Sequence, residues 1–467
     1  MQLKSFIEEV GGLRYMVDRL DIQSSVGRRM LLATELMTVK EEVEREQSNL
    51  QHVFDLLGNG AALAATDRIR VKLAQIRDIK GTLKNMERGQ VLDDIELFEV
   101  KHYAIVATEI RQIAISSGIS PIDLSNLEGV IALLDPDGNR IPSFYIYDAY
   151  SAELSAIRKE IKRQPDDGDI SHLLEKANAI EDTIRERLSN ELGAMAALLR
   201  QSLEHTGKLD ILIAKARQAK DMMLVRPTLS DRVTAYQGIF NPQLKERLEQ
   251  QGRRYQPVDI SLDRSICLIT GANMAGKTVM LKTVALCQYL CQLGFFVPAA
   301  TASVCLVNRI MTCIGDEQSE LKGLSAFAAE ILNIGHIVAA AKSDKKQLVL
   351  IDELARTTNP TEGKAIVSAT ANLLNGMGIR GIITTHYSGV KTSCHRLRVR
   401  GFIDGIAEAV TIDNLSSFID YSLVDDDSGH VPQEALRIAS LLGVDDELLE
   451  LAQKAMDESS QIEPDNR

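Results

Sequence analysis

Residues 271–278 read Gly271-Ala272-Asn273-Met274-Ala275-Gly276-Lys277-Thr278. This stretch has the form G-x-x-x-x-G-K-[ST], the pattern of a phosphate-binding loop. The apolar run Ile266–Ile269 precedes it, and a helical pattern from Val279 to Leu293 follows. Such a loop needs a strand to deliver it, glycines that let the backbone turn around phosphates, and a helix whose first amides face the anion. The sequence therefore predicts an ATP site in an α/β domain, with Gly271 and residues 273–278 in contact with the nucleotide.

Two side chains of the loop have roles that follow from their chemistry. We expect Lys277 to contact the β- and γ-phosphates of ATP, and the Thr278 hydroxyl to ligate Mg²⁺. A glycine turn with an exposed lysine is the alternative interpretation. That alternative leaves the flanking strand and helix patterns without a role.

A second nucleotide element is the run Leu348-Val349-Leu350-Ile351-Asp352-Glu353. Four consecutive apolar residues suit a central strand buried on both faces, and ligands of open α/β sheets bind at the carboxyl edge where the two acids lie. We expect Asp352 to hold the water shell of Mg²⁺, and Glu353 to orient and deprotonate the attacking water. Two acids in a surface loop are the alternative, so the pair is informative only together with the phosphate loop.

A third element, Ile382-Ile383-Thr384-Thr385-His386, is another β run that ends in a polar residue. His386 is expected to donate a hydrogen bond to the γ-phosphate and so to sense whether that phosphate is present. A lone histidine more often has a structural role. The position of His386, after the strand that follows the Asp352-Glu353 strand, favours the functional interpretation.

The composition limits the classes of partner. The chain has 467 residues, a formal net charge of −12 and six cysteines, all between Cys267 and Cys394. This length predicts two or three domains, and the negative charge discourages non-specific binding to a phosphate backbone. Cys287 and Cys291 share a helix face and are interpreted as core thiols in a reducing compartment. No apolar run is long enough to span a membrane, so we expect a cytoplasmic protein without membrane partners.

The pattern of apolar residues changes along the chain and predicts three regions. Residues 1–220 show helical periodicity, which predicts an all-α domain that includes one uninterrupted helix from about Ile170 to Leu203. In residues 221–432 apolar runs alternate with helical patterns, as in a mostly parallel sheet covered by helices. Residues 433–467 predict two short helices joined at Gly443, followed by a tail.

Read in order, five motifs resemble the ATPase domain of the MutS mismatch-repair family. They are ITGANMAGKT, GFFVPA at Gly294–Ala299, GLSAFAAE at Gly323–Glu330, LVLIDELARTT and TTHY, and the spacings between them match as well. The resemblance is strong over about residues 255–455. It is weaker over about residues 20–220, which look like the helical core of the family.

The resemblance implies an ATPase related to the ABC transporters: an ABC-type P-loop NTPase domain preceded by an all-α core or lever domain. It also implies a dimer with composite sites, formed with a second copy or a related subunit. Ser325 matches the serine that reaches the partner's γ-phosphate, although a helix N-cap before Ala326 is a compatible alternative. Tyr255 matches the aromatic residue on which adenine stacks. Arg356 matches an arginine of the dimer interface.

Several departures from the family bear on the molecule that the ATPase acts on. The chain begins almost at the helical core, so we expect no mismatch-reading or connector domain before it. The stretch 170–225 is too short and too helical for the clamp that closes around DNA. Asn359-Pro360 stands where the family has small hydroxyl residues, and Ala326 replaces a threonine. The expectation is intact ATP-driven switching without mismatch reading.

Three hypotheses for function remain open at this point. The first is a DNA mismatch-repair-related, ATP-gated protein whose dimerisation moves helical levers, with weak DNA binding. The second is a protein client, because short helical arms and the segment Ala355-Arg356-Thr357-Thr358-Asn359-Pro360 resemble reactivating factors of cobalamin-dependent lysine aminomutases. The third is a nucleotide-locked scaffold. Glu353 argues against the scaffold, since a scaffold needs no general base.

Overall fold

A computed structural model of the chain describes residues 2–119, 121–141, 143–164, 170–263, 265–271, 276–315, 326–356, 358–403, 411, 414–426 and 435–462. The chain divides into two compact units. The first comprises Met1–Lys4, Leu20–Glu35 and Glu46–Lys220, and the second comprises Ser5–Arg19, Leu36–Arg45 and Asp221–Arg467.

Among the described residues up to Asp221, helices account for the regular structure, apart from short 3₁₀ turns and an isolated β-bridge between Gln2 and Glu35. The helices are α1 (Leu13–Asp18), α2 (Ser25–Leu32), α3 (Lys40–Leu56), α4 (Gly60–Leu73), α5 (Lys80–Glu87), α6 (Asp94–Ser116), α7 (Glu128–Leu134), α8 (Ala152–Arg163), α9 (Ser171–Ala194) and α10 (Ala196–Asp221). The predicted helical region is therefore confirmed.

The apolar stripe of α9 packs inside the helical unit, as its periodicity predicts: Leu173, Ile184, Leu188 and Leu192 are buried. The prediction of one uninterrupted helix to Leu203 is wrong, because the helix breaks at Met195. There the backbone N–H of Met195 bonds to the carbonyl of Leu192 at 2.8 Å. This three-residue spacing is the tighter 3₁₀ pattern that often ends an α-helix, and α10 starts anew from it.

The second unit contains the strands. They are β1 (Thr228–Leu229), β2 (Thr234–Ile239), β3 (Val258–Leu262), β4 (Ile266–Thr270), β5 (Thr301–Val304), β6 (Arg309–Cys313), β7 (Gln347–Ile351), β8 (Arg380–Thr385), β9 (His395–Phe402) and β10 (Ile419–Asp425). The helices are α11 (Pro242–Gln250), α12 (Lys277–Gln292), α13 (Ala326–Ser343), α14 (Pro360–Gly376), α15 (Ala435–Leu441) and α16 (Asp446–Ile462). A mixed α/β unit is what the alternating pattern predicts.

The larger sheet has the strand order β10-β9-β4-β8-β7-β6. Its strands run parallel except β10, which pairs with β9 in the antiparallel sense. Every residue of β4, β7 and β8 is buried, which explains the near-continuous apolar runs of β4 and β7. Because β8 pairs with both β4 and β7, the carboxyl ends of these three strands lie side by side at one edge.

The smaller sheet has the order β1-β5-β2-β3. Helix α12 is buried along most of its length, and its Cys287 and Cys291 are fully buried, as interpreted from the sequence. Two segments early in the chain, around Phe6 and Met37, also contact α12. The ring of Phe6 stacks on that of Tyr289 at 4.9 Å between centroids, and the backbone N–H of Met37 donates to the carbonyl of Gln292.

Helices α13 and α14 pack on the larger sheet around a core that includes Val349, Ile351, Ile337 and Val367. The two helices predicted near the end of the chain are confirmed as α15 and α16. Gly443 lies between them with φ 73°, a conformation that glycine adopts without strain. Among the described residues, no helix is long and apolar enough to cross a membrane.

Candidate nucleotide site

The phosphate-loop motif begins where β4 ends, at Gly271, and α12 begins at Lys277. The residue before the helix, Gly276, has φ 74°. A β-carbon at this position would lie 2.9 Å from Cδ1 of Tyr421 on β10. Glycine is therefore required at residue 276 for two reasons, the left-handed backbone and the close approach of a ring. Asn273, Met274 and Ala275 lie outside the described residues.

Lys277 is buried and turned back toward the loop. Its Nζ donates a 2.6 Å hydrogen bond to the carbonyl of Gly271 and lies 3.4 Å from Oε1 of Glu353. Burial lowers the pKa of Lys277, and the nearby Glu353 carboxylate opposes that shift. The amine is thus fixed at the carboxyl edge of the sheet, close to the acid that the sequence predicts to be the base.

Thr278, Asp352 and Thr384 form a hydrogen-bonded chain across three neighbouring elements. The Thr278 hydroxyl donates to Oδ2 of Asp352 at 2.6 Å, and the Thr384 hydroxyl donates to Oδ1 at 2.7 Å. The oxygen of Thr384 also accepts the backbone N–H of Glu353 at 2.9 Å. Both oxygens of one carboxylate are therefore held by hydroxyls, and the predicted pair Thr278 and Asp352 is brought together.

Glu353 lies between two cations. Besides its contact with Lys277, its Oε2 lies 3.5 Å from Nη1 of Arg356. The Glu353 side chain is 17% exposed and that of Arg356 is 50% exposed. The backbone of Glu353 has φ 45°, which is rare for a residue other than glycine. The side chain of Glu353 is thus partly exposed, and its backbone has a conformation that its surroundings must maintain.

His386 follows β8 directly, and its ring is packed at 4.2 Å from that of Tyr387. Its Nδ1 is buried and has no hydrogen-bond partner among the described residues. Burial lowers the pKa of His386, while the Glu353 carboxylate opposes the shift. The histidine therefore favours its neutral form, in which one ring nitrogen donates a hydrogen bond and the other accepts one.

Tyr255 contacts the start of α11 and the helix α12 that follows the phosphate loop. Its hydroxyl accepts a 3.1 Å hydrogen bond from the backbone N–H of Asn241, and burial raises its pKa. The side chain of Thr283, on α12, also hydrogen-bonds to it. The ring is half-buried and anchored at its hydroxyl end.

Three residues without an assigned role in the sequence hold the site together. Thr384 links Asp352 to the backbone of Glu353, as described above. Glu330 accepts the backbone N–H of Ala355 at 2.9 Å, and the Tyr387 hydroxyl donates to the Ala355 carbonyl at 2.7 Å. Each stands within a quoted motif, but no periodicity or spacing indicates a bond to a loop so distant in sequence. Ser325 lies outside the described residues.

A family model and several known proteins match parts of this chain. A family model described as MutS domain V matches residues 267–459. Endonuclease MutS2 of Caldicellulosiruptor bescii is 37% identical over 213 residues, 45% of this chain and 26% of that protein. The protein of the same name from Thermus thermophilus is 33% identical over 292 residues, 62% and 36% of the two chains. That from Bacillus cytotoxicus is 28% identical over 393 residues, 79% and 49% of the two chains.

The matches therefore span between about a quarter and a half of the length of these relatives. The range of the family model includes β4 from its second residue, the phosphate-loop motif, and strands β7 and β8 with the residues Asp352 and His386 that follow them. The same strand ends form the hydrogen-bonded site described above. This part of the chain therefore matches domain V of the MutS family.

Proposed function

We propose that the protein binds and hydrolyses ATP, in an ABC-type P-loop NTPase domain. The observation that carries this proposal is the convergence of Lys277, Asp352 and Glu353 at one sheet edge. Lys277 and Glu353 come within 3.4 Å, and Asp352 is joined to Thr278 at 2.6 Å. A buried cation, a carboxylate beside a hydroxyl, and a second carboxylate open to the edge are the groups that phosphoryl transfer to water requires.

The oxygen atoms of Thr278 and Asp352 fit a magnesium ion. Mg²⁺ is usually held by one or two carboxylates together with phosphate oxygens, and it keeps several waters. A hydroxyl and a carboxylate 2.6 Å apart supply hard oxygen donors without enclosing the site. When bound, Mg²⁺ supplies positive charge that stabilises the phosphates during transfer. Thr384 keeps the Asp352 carboxylate oriented from its other oxygen.

Glu353 is the residue best suited to take a proton from water. Its carboxylate is partly exposed, whereas both oxygens of Asp352 are engaged by hydroxyls. Lys277 would bind the terminal phosphates, and neutral His386 would donate to the γ-phosphate. Tyr255 would hold the base, with its ring anchored through its hydroxyl. We also assign Gly271, residues 273–276 and Thr278 to nucleotide contact, as the motif predicts.

We further propose that ATP is shared between two subunits, a second copy or a related chain. Ser325 would reach the partner's γ-phosphate, and Arg356 would lie at the interface. The half-exposed Arg356 beside Glu353 supports this arrangement, because it places a cation at the open side of the site. Gain and loss of the terminal phosphate would then move the helical unit as a lever. We expect the protein to act in the cytoplasm.

We favour DNA as the molecule on which the ATPase acts. The relatives are called endonucleases, although the chain spans at most about half of their length. A local basic segment supports DNA: residues 67–88 contain seven Lys or Arg and three Asp or Glu, a net charge of +4, in a chain of −12. No relative reported above supports the aminomutase alternative.

The basic segment has a face free for an anionic partner. Lys80, Lys84 and Arg88 are exposed and follow one another at four-residue spacing along α5 and its C-cap, so they lie on one side of it. The acids of the segment are already engaged: Asp67 by Arg217, Asp78 by Arg29, and Glu87 by Arg200. The face therefore keeps its positive charge, which fits the phosphate backbone of duplex DNA.

The substitution Lys277→Ala tests the proposed ATP site. Losing a charged hydrogen-bonding partner should weaken ATP binding by about 10- to 100-fold. Isothermal titration with ATP and Mg²⁺ measures this, and circular dichroism checks that the variant folds. The exposed α8 residue Lys159 offers a matched control, Lys159→Ala. Equal ATP affinity in the two variants would remove the loop from the site.

A further inference from the structure

The loop after β7 contains two residues in a strained backbone conformation. Glu353 has φ 45° and Ala355 has φ 62°. Side chains with a β-carbon crowd the backbone in this region, so residues other than glycine remain there only when surrounding contacts hold them. The same loop carries the carboxylate that lies 3.4 Å from Lys277. The contacts that hold the loop therefore decide where this carboxylate points.

The peptide groups of Ala355 are held from two directions. Its N–H donates to Oε1 of Glu330 on α13, and its carbonyl accepts from the hydroxyl of Tyr387, which follows β8. Ala355 is fully buried, so these two side chains take the place of water for its backbone. The two bonds tie the loop to two separate elements of the same unit.

Helix α14 leaves a space for the Tyr387 hydroxyl. A β-carbon at Gly363 would lie 2.4 Å from Oη and 2.6 Å from Cζ of Tyr387. Gly363 and the neighbouring Val367 are buried, so the ring is enclosed where it meets the helix. Glycine at residue 363 therefore permits the position from which Tyr387 reaches Ala355.

We propose that Glu330 and Tyr387 are positioning residues for ATP hydrolysis. Glu330 and Tyr387 hold Ala355 in the left-handed conformation and so determine the backbone path of the loop. This path orients the carboxylate of Glu353 toward the attacking water. The inference rests on the proposed function, because it needs Glu353 as the base. Neither residue has to touch the nucleotide, since both act through the backbone of the loop.

The substitution Tyr387→Phe removes the hydroxyl alone. It should lower kcat about tenfold, the effect of losing one oriented hydrogen bond, with KM and ATP affinity changed by less than about twofold. Adding Ala355→Gly should bring kcat back to within about threefold of wild type, because glycine adopts positive φ without strain. At the contact between Glu330 and the Ala355 N–H, Glu330→Gln keeps an acceptor oxygen and should keep most of kcat. Glu330→Ala removes the acceptor and should lower kcat as Tyr387→Phe does.

A second readout separates this inference from the proposed ATPase function. Hydrogen exchange of residues 353–356, followed by mass spectrometry, should be faster in Tyr387→Phe and slow again in the double variant with Ala355→Gly. Tyr145→Phe, at an exposed tyrosine of the helical unit, is the control. If the wild-type protein does not hydrolyse ATP, the proposed function is wrong. Hydrogen exchange would still test the contacts of Ala355 with Glu330 and Tyr387. Unchanged kcat or unchanged exchange in Tyr387→Phe, or no recovery with Ala355→Gly, would overturn the inference.

Discussion

Glu353 Oε1 lies 3.4 Å from Lys277 Nζ, so the proposed base and the phosphate-binding lysine form an ion pair across the edge of the sheet. The Lys277 side chain is 3% exposed, and a charge so deeply buried needs a partner. The carboxylate supplies that partner within the protein. An anion that binds Lys277 must therefore compete with Glu353, so a substitution at either residue also changes the surroundings of the other.

This pairing sets the expected result for Glu353→Gln. Removing the competing negative charge should leave ATP affinity equal or a few-fold higher. Removing the base should lower kcat by about 100-fold or more, the usual contribution of general base catalysis. Single-turnover hydrolysis and equilibrium ATP binding measure the two effects separately, with Glu447→Gln at an exposed site as control. Normal turnover would show that another group activates water.

The lowered pKa of His386 predicts a pH effect on stability. In the folded protein, burial holds the pKa of His386 below the ordinary 6.5. As pH falls, His386 therefore takes up a proton in the unfolded chain before it does so in the folded protein. The stability present above pH 6.5 is then lost progressively below it. His386→Gln should lose less in Tm than wild type between pH 7.5 and 5.5, as measured by scanning calorimetry. His172→Gln, on the exposed face of α9, should behave like wild type.

Two glycines of α14 should respond oppositely to the same substitution. Gly363→Ala places a methyl group 2.4 Å from the Tyr387 hydroxyl and should destabilise the protein by about 1–3 kcal/mol, a typical cost of overpacking. A β-carbon at Gly376 meets nothing within 4 Å, so Gly376→Ala should stabilise by up to about 1 kcal/mol. Urea unfolding compares the two variants. An equal or reversed ranking would contradict the packing described here.

The basic face of α5 predicts how DNA binding depends on salt. Changing Lys80, Lys84 and Arg88 to Gln should weaken binding to duplex DNA and flatten the plot of log K against log salt by about 1–3 units, since each phosphate contact contributes about 0.9. Fluorescence anisotropy over a salt series measures the slope. The matched control changes Lys159, Lys162 and Arg163 of α8, which are also exposed, to Gln. The same change of slope in both triple variants would show that only net charge matters.

The sequence alone determined the local units of the site. Strand β4, the phosphate-loop motif and helix α12 follow one another over a short stretch, and the hydrophobic runs of β7 and β8 end in Asp352 and in Thr385 and His386. Strong local patterns of this kind depend on neighbouring residues, because strands buried on both faces favour apolar side chains. The break at Met195 shows the limit of such patterns, since the apolar stripe continues through it.

Only the tertiary structure decided how these units combine. Strand β8 lies between β4 and β7, which brings the hydroxyl of Thr384 to Asp352 although they are 32 residues apart. The left-handed backbone of Ala355 and its bonds to Glu330 and Tyr387 are likewise invisible in the sequence. Strand order and positive φ at a residue other than glycine are fixed by contacts between distant segments, and local propensity carries no information about them.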